Sequence, residues 1–373
     1  MSTKTILVTG GAGFIGSHLC DELLVQGHEV RVLDNLLDQV HGPSASPPAY
    51  LNRHVKFFLG DLGDSQVVAR ACRGVDVVFH LGARVGVGQS MYQIADYTAT
   101  NNLGTAVLLQ ELIKNPVEKL IVASSMSIYG EGLYCRPDGA IRTIHQRSFE
   151  QLKAGLWEVT DEDGTPLQPI ATPETKAPAL ASIYALSKYD QESMCLITGR
   201  AYHIPTVALR FFNTYGARQA LSNPYTGVLA IFAARLLNHN PPLIYEDGQQ
   251  KRDFVHVTDV ARACRLAMDT PAADGRIFNV GSGNVYTICE LAARMAAVMG
   301  KQQLQPEITG KYRVGDIRHC FADISQARQI LGYAPLIPLE VGIEQLAEWL
   351  AGQTATDKVA YAQVELATHG LTI

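Results

Sequence analysis

Tyr184 and Lys188 are the two residues whose types and spacing point most directly to chemistry. They stand four residues apart in the run YALSK, which places a phenol and an ammonium on one face of a helix. A neighbouring cation favours the phenolate, so Lys188 is expected to lower the pKa of Tyr184 from its usual value of about 10. A phenol adjusted in this way can take a proton from an alcohol or sugar hydroxyl and later return it.

A serine hydroxyl stands upstream of this pair, in the run ASSMSIYG that follows the fifth predicted strand. A serine at a strand end usually belongs to a turn. Because a tyrosine and a lysine at helical spacing follow it, we interpret Ser125 as a hydrogen-bonding group that helps relay the proton of the reacting hydroxyl. The predicted catalytic residues are Tyr184, Lys188 and Ser125.

A glycine-rich loop follows the first predicted strand and opens the first predicted helix, in the run TGGAGFIGSH. Glycines at positions 10, 13 and 16 permit a tight turn, close approach of the backbone to a pyrophosphate, and tight packing of helix on strand. The free amides at the helix start favour a diphosphate. The predicted cofactor contacts in this loop are Gly10, Gly13, Phe14, Ile15 and Gly16.

Further cofactor contacts are predicted where the next strands end. Asp34 closes the second strand, where a carboxylate can hydrogen-bond a ribose diol and would repel a 2′-phosphate, so NAD is favoured over NADP. Asp61 follows the third strand and could hold the adenine, although an ordinary helix-capping role is an equally good interpretation. His80 reads as a packed strand residue, and small residues follow it. The predicted contacts in these segments are Asn35, Asp61, Leu62, Leu81 and Ala83.

The elements that must position these residues alternate between strand and helix. Short β-branched runs such as Thr5–Thr9 and Thr206–Phe211 alternate with helical patterns such as Ser65–Cys72, which predicts a doubly wound parallel sheet. We therefore predict an α/β fold, a Rossmann-type domain with a smaller C-terminal substrate-binding domain. The predicted divisions are residues 1–209 and 253–282 for the NAD-binding domain, with an insertion at about 131–176; residues 210–252 and 283–350 for the second domain; and residues 351–373 for a tail without a readable motif.

The composition is that of a soluble globular enzyme. The 373 residues carry a net charge of -5 and are 47% hydrophobic and 18% charged, which gives no reason to expect nucleic acid or a membrane surface as a partner. No apolar run is long enough to span a bilayer, and the N-terminus lacks a signal-peptide pattern. The seven cysteines are scattered and form no CxxC pair, so we expect free thiols in a cytoplasmic protein and no metal site.

Taken together, these motifs resemble those of the extended short-chain dehydrogenases/reductases, in the NAD-dependent nucleotide-sugar epimerase/dehydratase family. The resemblance covers roughly residues 3–349 and rests on TGGAGFIGSH, the DN at 34–35, HLGA, NNLGT, SSMSIYG, YALSK, LRFFNTYG, RDFVHVTD and GDIRH. It implies that Tyr184 is the base, that Lys188 is its partner and that Ser125 matches the family's catalytic Ser/Thr. It also implies NAD as cofactor and a nucleotide sugar as substrate.

The resemblance assigns binding roles to further residues. It places Asn101 along the cofactor and Asn213 at the diphosphate of the sugar nucleotide. It makes Arg252 and Arg318 the arginines on the phosphate and ribose side, which suits planar cationic donors. The predicted substrate contacts are therefore Ser125, Met126, Asn213, Arg252 and Arg318.

Two departures from the family narrow the expected activity. Dehydratases that resemble this chain carry an Asp-Glu pair directly after the catalytic Ser/Thr, where this chain has Met126 and Ser127. Dehydration is therefore disfavoured, and transient oxidation with return of hydride to the other face, an epimerisation at carbon 4, is favoured. The open alternatives are a 4-ketoreductase of a dTDP-4-keto-6-deoxy sugar, a UDP-hexose or uronate 4-epimerase, and a non-catalytic dinucleotide-sensing protein.

The second departure is the long interval between Tyr129-Gly130 and Tyr184, which exceeds the family's usual spacing. We expect this insertion to form a flap over the sugar. Within the family, the chain resembles the bacterial branch that includes dTDP-L-rhamnose 4-epimerases, although the CPxCG-like pair associated with that branch is missing. The resemblance also implies a homodimer built from the helices around 95–114 and 184–202.

Overall fold

A computed structural model describes residues 3–43, 46–144 and 146–372. Residues 1, 2, 145 and 373, which belong to the predicted Rossmann domain, insertion and tail, lie outside the described residues, as do 44 and 45. The strands are β1 (Thr5–Thr9), β2 (Glu29–Asp34), β3 (Lys56–Leu59), β4 (Val77–His80), β5 (Lys119–Ser125), β6 (Leu133–Cys135), β7 (Ile141–Thr143), β8 (Gln168–Ile170), β9 (Thr206–Phe211), β10 (Asn213–Tyr215), β11 (Leu243–Ile244), β12 (Lys251–Arg252), β13 (Phe254–His256), β14 (Ile277–Val280), β15 (Tyr286–Thr287), β16 (Glu307–Ile308) and β17 (His319–Cys320). The α-helices are α1 (Phe14–Val25), α2 (Asp38–His41), α3 (Ser65–Cys72), α4 (Val87–Ser90), α5 (Ile94–Tyr97), α6 (Gly104–Lys114), α7 (Phe149–Lys153), α8 (Ile183–Ala201), α9 (Val228–Leu237), α10 (Val257–Asp269), α11 (Ile288–Val298), α12 (Leu339–Leu350) and α13 (Val359–Thr368).

A seven-stranded parallel sheet forms the centre of the molecule, in the order β14-β9-β5-β4-β1-β2-β3. Apolar side chains cover both faces, because strands such as β4, β5 and β9 are buried along their whole length. Fully buried parallel strands between helices are typical of doubly wound α/β folds. The predicted fold class is confirmed.

The second half of the chain builds a smaller lobe at the carboxyl ends of the strands. Its core lies between α9, α11 and α12, with Phe232, Leu291 and Leu346 almost completely buried. Short sheets link this lobe to the segment before α10, where β12 pairs with β15 and β17. The chain returns to the central sheet at β14, which pairs with β9. The predicted domain divisions at 209/210 and 282/283 stay predictions.

The insertion is a small unit of its own. Strand β6 pairs with both β7 and β8, and Tyr134, Val159 and Leu167 form a separate core of buried side chains. Its backbone docks on the segment around β17, because Gly132 N donates to His319 O and Thr172 N donates to Phe321 O. The insertion is therefore fixed to the C-terminal half of the chain.

The segment after α12 is helical and folds back onto the molecule as α13. No helix within the described ranges combines the length and the apolar character needed to cross a bilayer.

Candidate active site

A cavity of about 640 Å³ lies where the carboxyl ends of the sheet face the smaller lobe. Clefts of this size at the strand ends of α/β sheets are where such folds bind ligands. It brings together all but two of the residues predicted to bind or react. Those that line it are Gly10, Gly13, Phe14, Ile15, Gly16, Asp34, Asn35, Asp61, Leu62, Leu81, Ala83, Ser125, Met126, Tyr184, Lys188, Asn213 and Arg252.

The glycine-rich loop forms the floor of the cavity at the end of β1. Gly10 has φ +68°, and a β-carbon there would lie 2.9 Å from the backbone of Gly82. A β-carbon on Gly16 would lie 2.3 Å from the carbonyl oxygen of Gly10. Side chains at these positions would push the loop away from the helix start, so the backbone fits a dinucleotide pyrophosphate only with glycine there.

Two carboxylates line the wall where the adenosine half of a dinucleotide would lie. Asp34 Oδ2 accepts from Ala12 N at 3.0 Å, and Oδ1 accepts from Leu36 N at 2.9 Å, which fixes the carboxylate at the end of β2. Asp61 accepts from Asn35 Nδ2 at 2.8 Å and from Gly63 N at 2.8 Å. The loop, the Asp34 carboxylate and the cavity together fit NAD.

Tyr184 and Ser125 meet at the opposite side of the cavity floor. Ser182 caps the start of α8, because its side chain accepts from Ala185 N at 3.1 Å, and this places Tyr184 in the first turn. Ser125 ends β5, and its oxygen accepts from Ser127 Oγ at 2.9 Å. The Ser125 hydroxyl and the Tyr184 phenol both line the cavity, and the hydroxyl lowers the pKa of the phenol. The two predicted reacting groups therefore face the same cavity.

The predicted effect of Lys188 on Tyr184 is wrong in this structure. Burial raises the pKa of Tyr184, and the Ser125 hydroxyl opposes that rise only in part. Lys188 Nζ instead donates to Gln191 Oε1 at 2.7 Å, and burial lowers the pKa of Lys188 to about 8. Helical spacing placed the two side chains on one face, but hydrogen bonding decided where the ammonium points.

Lys188 belongs to a buried network of hydrogen-bonded polar side chains. Gln191 Nε2 donates to Thr105 Oγ1 at 2.9 Å, and the ring of His80 lies between Thr9 and Thr105 at 2.8 Å from each hydroxyl. Burial lowers the pKa of His80 to about 3, so its ring is neutral and serves packing and hydrogen bonding. His80 is a packed strand residue, as predicted.

Asn101 does not lie in the cavity, and its prediction as a cofactor contact requires correction. Its side chain is completely buried and is used up by hydrogen bonds with Arg84 N, Arg84 O and Ser187 Oγ at 2.7, 3.1 and 2.9 Å. These bonds tie the loop after β4 to α8. Asn101 therefore supports the cavity wall from behind.

Arg318 also lies outside the cavity, so its prediction as a substrate contact is wrong. Its side chain is 0% exposed, and its guanidinium pairs with the carboxylates of Glu158, Glu246 and Asp247. Glu246 is further paired with Arg147 at 2.8 Å. A guanidinium that already donates to three carboxylates has no free hydrogen-bonding edge for a substrate phosphate.

Arg313 lines the cavity in place of Arg318 and was missed from the sequence. Its guanidinium pairs with Asp316 at 2.8 and 3.0 Å and lies 5.5 Å from the centre of the Tyr245 ring. Both arginines stand in the short run KYRVGDIRH, so the signal was present in the sequence. Only the packing of that segment shows which of the two side chains faces the cavity.

The C-terminal segment contributes to the lining of the cavity, whereas the described residues of the insertion do not. None of the described residues of the insertion, 131–144 and 146–176, lines the cavity, and the flap over the sugar stays a prediction. Helix α13, in the tail where no motif was readable, does line it through Val359, Ala362, Gln363 and Leu366.

Comparison with known proteins agrees with the observed fold. Residues 6–281 match the NAD dependent epimerase/dehydratase family. The chain belongs to this family, and the predicted resemblance is confirmed.

Its relatives include nucleotide-sugar 4-epimerases. The chain is 34% identical over 352 residues to the dTDP-L-rhamnose 4-epimerase of Burkholderia thailandensis, which covers 93% of this chain and 95% of that protein. It is similar to the UDP-glucose 4-epimerase of Thermotoga maritima solved with UDP-glucose, at a TM-score of 0.75 and 32% identity, covering 93% and 98% of the two chains. It also resembles a Bacillus cereus UDP-glucuronic acid 4-epimerase variant solved with NAD and a fluorinated UDP-glucuronic acid, at a TM-score of 0.75 and 26% identity, covering 93% and 99%. The cofactor of this family is NAD.

Proposed function

We propose that this chain is a nucleotide-sugar 4-epimerase that works through transient oxidation at sugar carbon 4. The observation that carries the proposal is that Ser125, Tyr184 and Lys188 line the same cavity as a glycine-rich loop that fits NAD. The glycine-rich loop and Asp34 would hold NAD, which when bound would supply reversible hydride transfer at carbon 4, so no external reductant would be needed.

The chain's own residues handle the proton and the orientation of the sugar. Tyr184 Oη takes the proton of the 4-hydroxyl, and Ser125 Oγ hydrogen-bonds the same oxygen. To accept this proton Tyr184 must react as the phenolate, a form that Lys188 would favour once its ammonium turns from Gln191 toward the phenol. The phenol then returns the proton to the oxygen after the sugar has turned over.

The carboxylates that line the cavity support epimerisation over dehydration. Met126 and Ser127 follow Ser125 and carry no acid, and Met126 Sδ accepts from Asn213 Nδ2 at 3.3 Å. Of the acids lining the described cavity, Glu246 is paired with two arginines and Asp316 with one. The other two, Asp34 and Asp61, lie on the cofactor side. An acid–base pair able to expel water from carbons 5 and 6 is missing among these residues.

As substrate we propose a dTDP-6-deoxyhexose such as dTDP-L-rhamnose. The support is the 34% identity with the Burkholderia thailandensis enzyme over nearly the whole of both chains. The second candidate is a UDP-hexose or UDP-uronate, which is supported by the solved 4-epimerases of Thermotoga maritima and Bacillus cereus. The diphosphate of either would lie against Asn213, Arg252 and Arg313.

A substrate panel tests the proposal. Purified protein, with the NAD it carries, is incubated with dTDP-, UDP- and GDP-sugars, and the C4 epimer is followed by NMR. We expect conversion of a dTDP-6-deoxyhexose without added NAD(P)H. Turnover that stops unless NADPH is supplied in equal amount would identify the ketoreductase alternative and reject the epimerase.

Replacement of Arg313 by alanine should weaken substrate binding. A charge-assisted hydrogen bond contributes about 1.5–3 kcal/mol, so we expect KM to rise roughly ten- to hundredfold while kcat and bound NAD change little. Steady-state kinetics and the ratio of absorbance at 260 and 280 nm measure the two effects. Arg313→Lys, which keeps the charge but loses the planar fork, should lie in between. An unchanged KM in Arg313→Ala, as expected for the exposed control Arg200→Ala, would contradict the assignment.

We further propose a cytoplasmic homodimer formed through α6 and α8. Leu103 just before α6 and Leu186 and Ile197 on α8 are 56%, 41% and 66% exposed, and apolar side chains of this kind favour burial against a second copy. The free thiols of all seven cysteines support a reducing compartment. A monomeric mass by light scattering would reject the dimer.

A further inference from the structure

The terminal helix α13 is built into the substrate cavity although no family motif reaches it. Its inner face contributes Val359, Ala362, Gln363 and Leu366 to the lining. Ala362 and Leu366 are 6% and 2% exposed, whereas Tyr361 and Val364 on the outer face are 61% and 64% exposed. One face of the helix is therefore turned to the cavity and the other is exposed.

The start of the helix is fixed to α9. Asp357 Oδ2 pairs with Arg235 at 3.3 Å and accepts from Asn240 Nδ2 at 2.8 Å, while its Oδ1 accepts from Val359 N at 3.0 Å. Thr356 N also donates to Ser222 Oγ at 3.0 Å. Since α9 lines the cavity with Val228, Ile231 and Phe232, these bonds hold the first turns of α13 against that wall.

The end of the helix is fixed beside Arg313 and the loop after β4. Val314 N donates to Leu371 O at 2.9 Å, directly after Arg313 in the chain. His369 stacks on Tyr92 with ring centres 4.5 Å apart, and Tyr92 shares a hydrogen bond of 2.6 Å with Tyr225. The helix thus lies between the segment that carries Arg313 and α9.

Gln363 is the polar group on this inner face. Its residue lines the cavity, and its amide forms no hydrogen bond with any residue in the described part of the chain. The neighbouring walls are the apolar side chains of α9 and the cationic Arg313, which suit a nucleoside base and a phosphate. An amide between them is placed to hydrogen-bond the ribosyl part that connects the two.

We infer that α13 is a wall of the nucleotide subsite and that Gln363 hydrogen-bonds the nucleoside diphosphate half of the substrate. The inference rests on the proposed nucleotide-sugar activity and deepens it, because it assigns part of nucleotide recognition to the C-terminal segment. Leu366 packs α13 against α4. A β-carbon on Gly88 of that helix would lie only 3.0 Å from Leu366 Cδ2.

Calorimetric titration of the NAD-containing protein with dTDP and with UDP tests this inference without turnover. We expect Gln363→Ala to weaken binding of the preferred nucleotide roughly three- to tenfold, which is the effect of losing one neutral hydrogen bond. Gln363→Glu should weaken it further, because its carboxylate would repel the diphosphate. The matched control is Val364→Ala, one residue along on the outer face, which should bind as the unaltered protein does. Bound NAD and the melting temperature should stay constant in all three variants.

Equal affinity of the unaltered protein and both Gln363 variants for dTDP and UDP would overturn the inference, as would a complete lack of nucleotide binding by the unaltered protein. The outcome is separable from that of the proposed activity. If nucleotide binding depends on Gln363 but no sugar is epimerised, the activity fails and the inference stands. If epimerisation is observed but the nucleotide affinity is the same in the Gln363 variants, only the inference fails.

Discussion

Replacement of Tyr184 by phenylalanine is expected to lower kcat by about 10²- to 10⁴-fold, the usual contribution of a positioned general acid–base group. The change removes one oxygen atom and leaves the ring in place, so the first turn of α8 should stay intact. The sugar 4-hydroxyl would then have no group in the cavity placed to take its proton. Bound NAD and the dissociation constant for the nucleotide sugar should change little, which separates chemistry from binding.

The same α-helix offers a control for Tyr184. Tyr189 lies five residues further along α8 and outside the lining of the cavity, so Tyr189→Phe should turn over at the unaltered rate. Ser125→Ala should reduce kcat by a smaller factor, and the double variant should be less than additive because the two hydroxyls act as a unit. Undiminished turnover in Tyr184→Phe would remove the proposed base and favour a dinucleotide-sensing protein without catalysis.

Replacement of Arg318 by alanine is expected to act on stability. The guanidinium is fully buried and pairs with Glu158, Glu246 and Asp247, and Glu246 is itself only 2% exposed. Removal of the guanidinium leaves Glu246 with Arg147 as its remaining ion-pair partner and takes one positive charge from a largely buried network, which costs up to about 3–5 kcal/mol of unfolding free energy. The insertion should loosen first, because Glu158 belongs to it and Glu246 and Asp247 belong to the smaller lobe. Thermal and urea unfolding measure the loss.

Two control substitutions separate a loss of stability from a loss of substrate binding. Arg294 pairs with Glu340 at the surface, so Arg294→Ala should cost no more than about 1 kcal/mol. Arg313→Ala should weaken substrate binding and leave the melting temperature nearly unchanged, the reverse of Arg318→Ala. If Arg318→Ala melted normally but bound the nucleotide sugar poorly, Arg318 would be a substrate contact and the cavity as described would be wrong.

Local sequence predicted the parts of the site that depend on neighbours in the chain. Strands β1 and β9 begin and end at the predicted residues, because short β-branched runs between helical patterns have few other ways to be buried. The glycine spacing of the first loop sets its own turn. The four-residue spacing of Tyr184 and Lys188 places them on one face of α8 whatever surrounds the helix.

The remaining features depend on contacts between distant residues. The pKa of Tyr184 rises because the folded chain buries it, and Lys188 turns to Gln191 within a network that includes His80 and Thr105. Hydrogen bonds with Arg84 and Ser187 fix the Asn101 side chain behind the loop after β4. Spacing along the chain carries none of this information.

The sequence by itself determined the fold class, the family, the NAD-type loop and the grouping of Ser125, Tyr184 and Lys188. Those features follow from local spacing and from burial patterns that each segment shows alone. Only the tertiary structure decided that Arg313 faces the cavity while Arg318 pairs with carboxylates 71 to 160 residues away in the chain. It also decided that α13 lines the cavity and that the described residues of the insertion do not. The physical reason is that a side chain's direction depends on which charges and surfaces the folded chain brings against it.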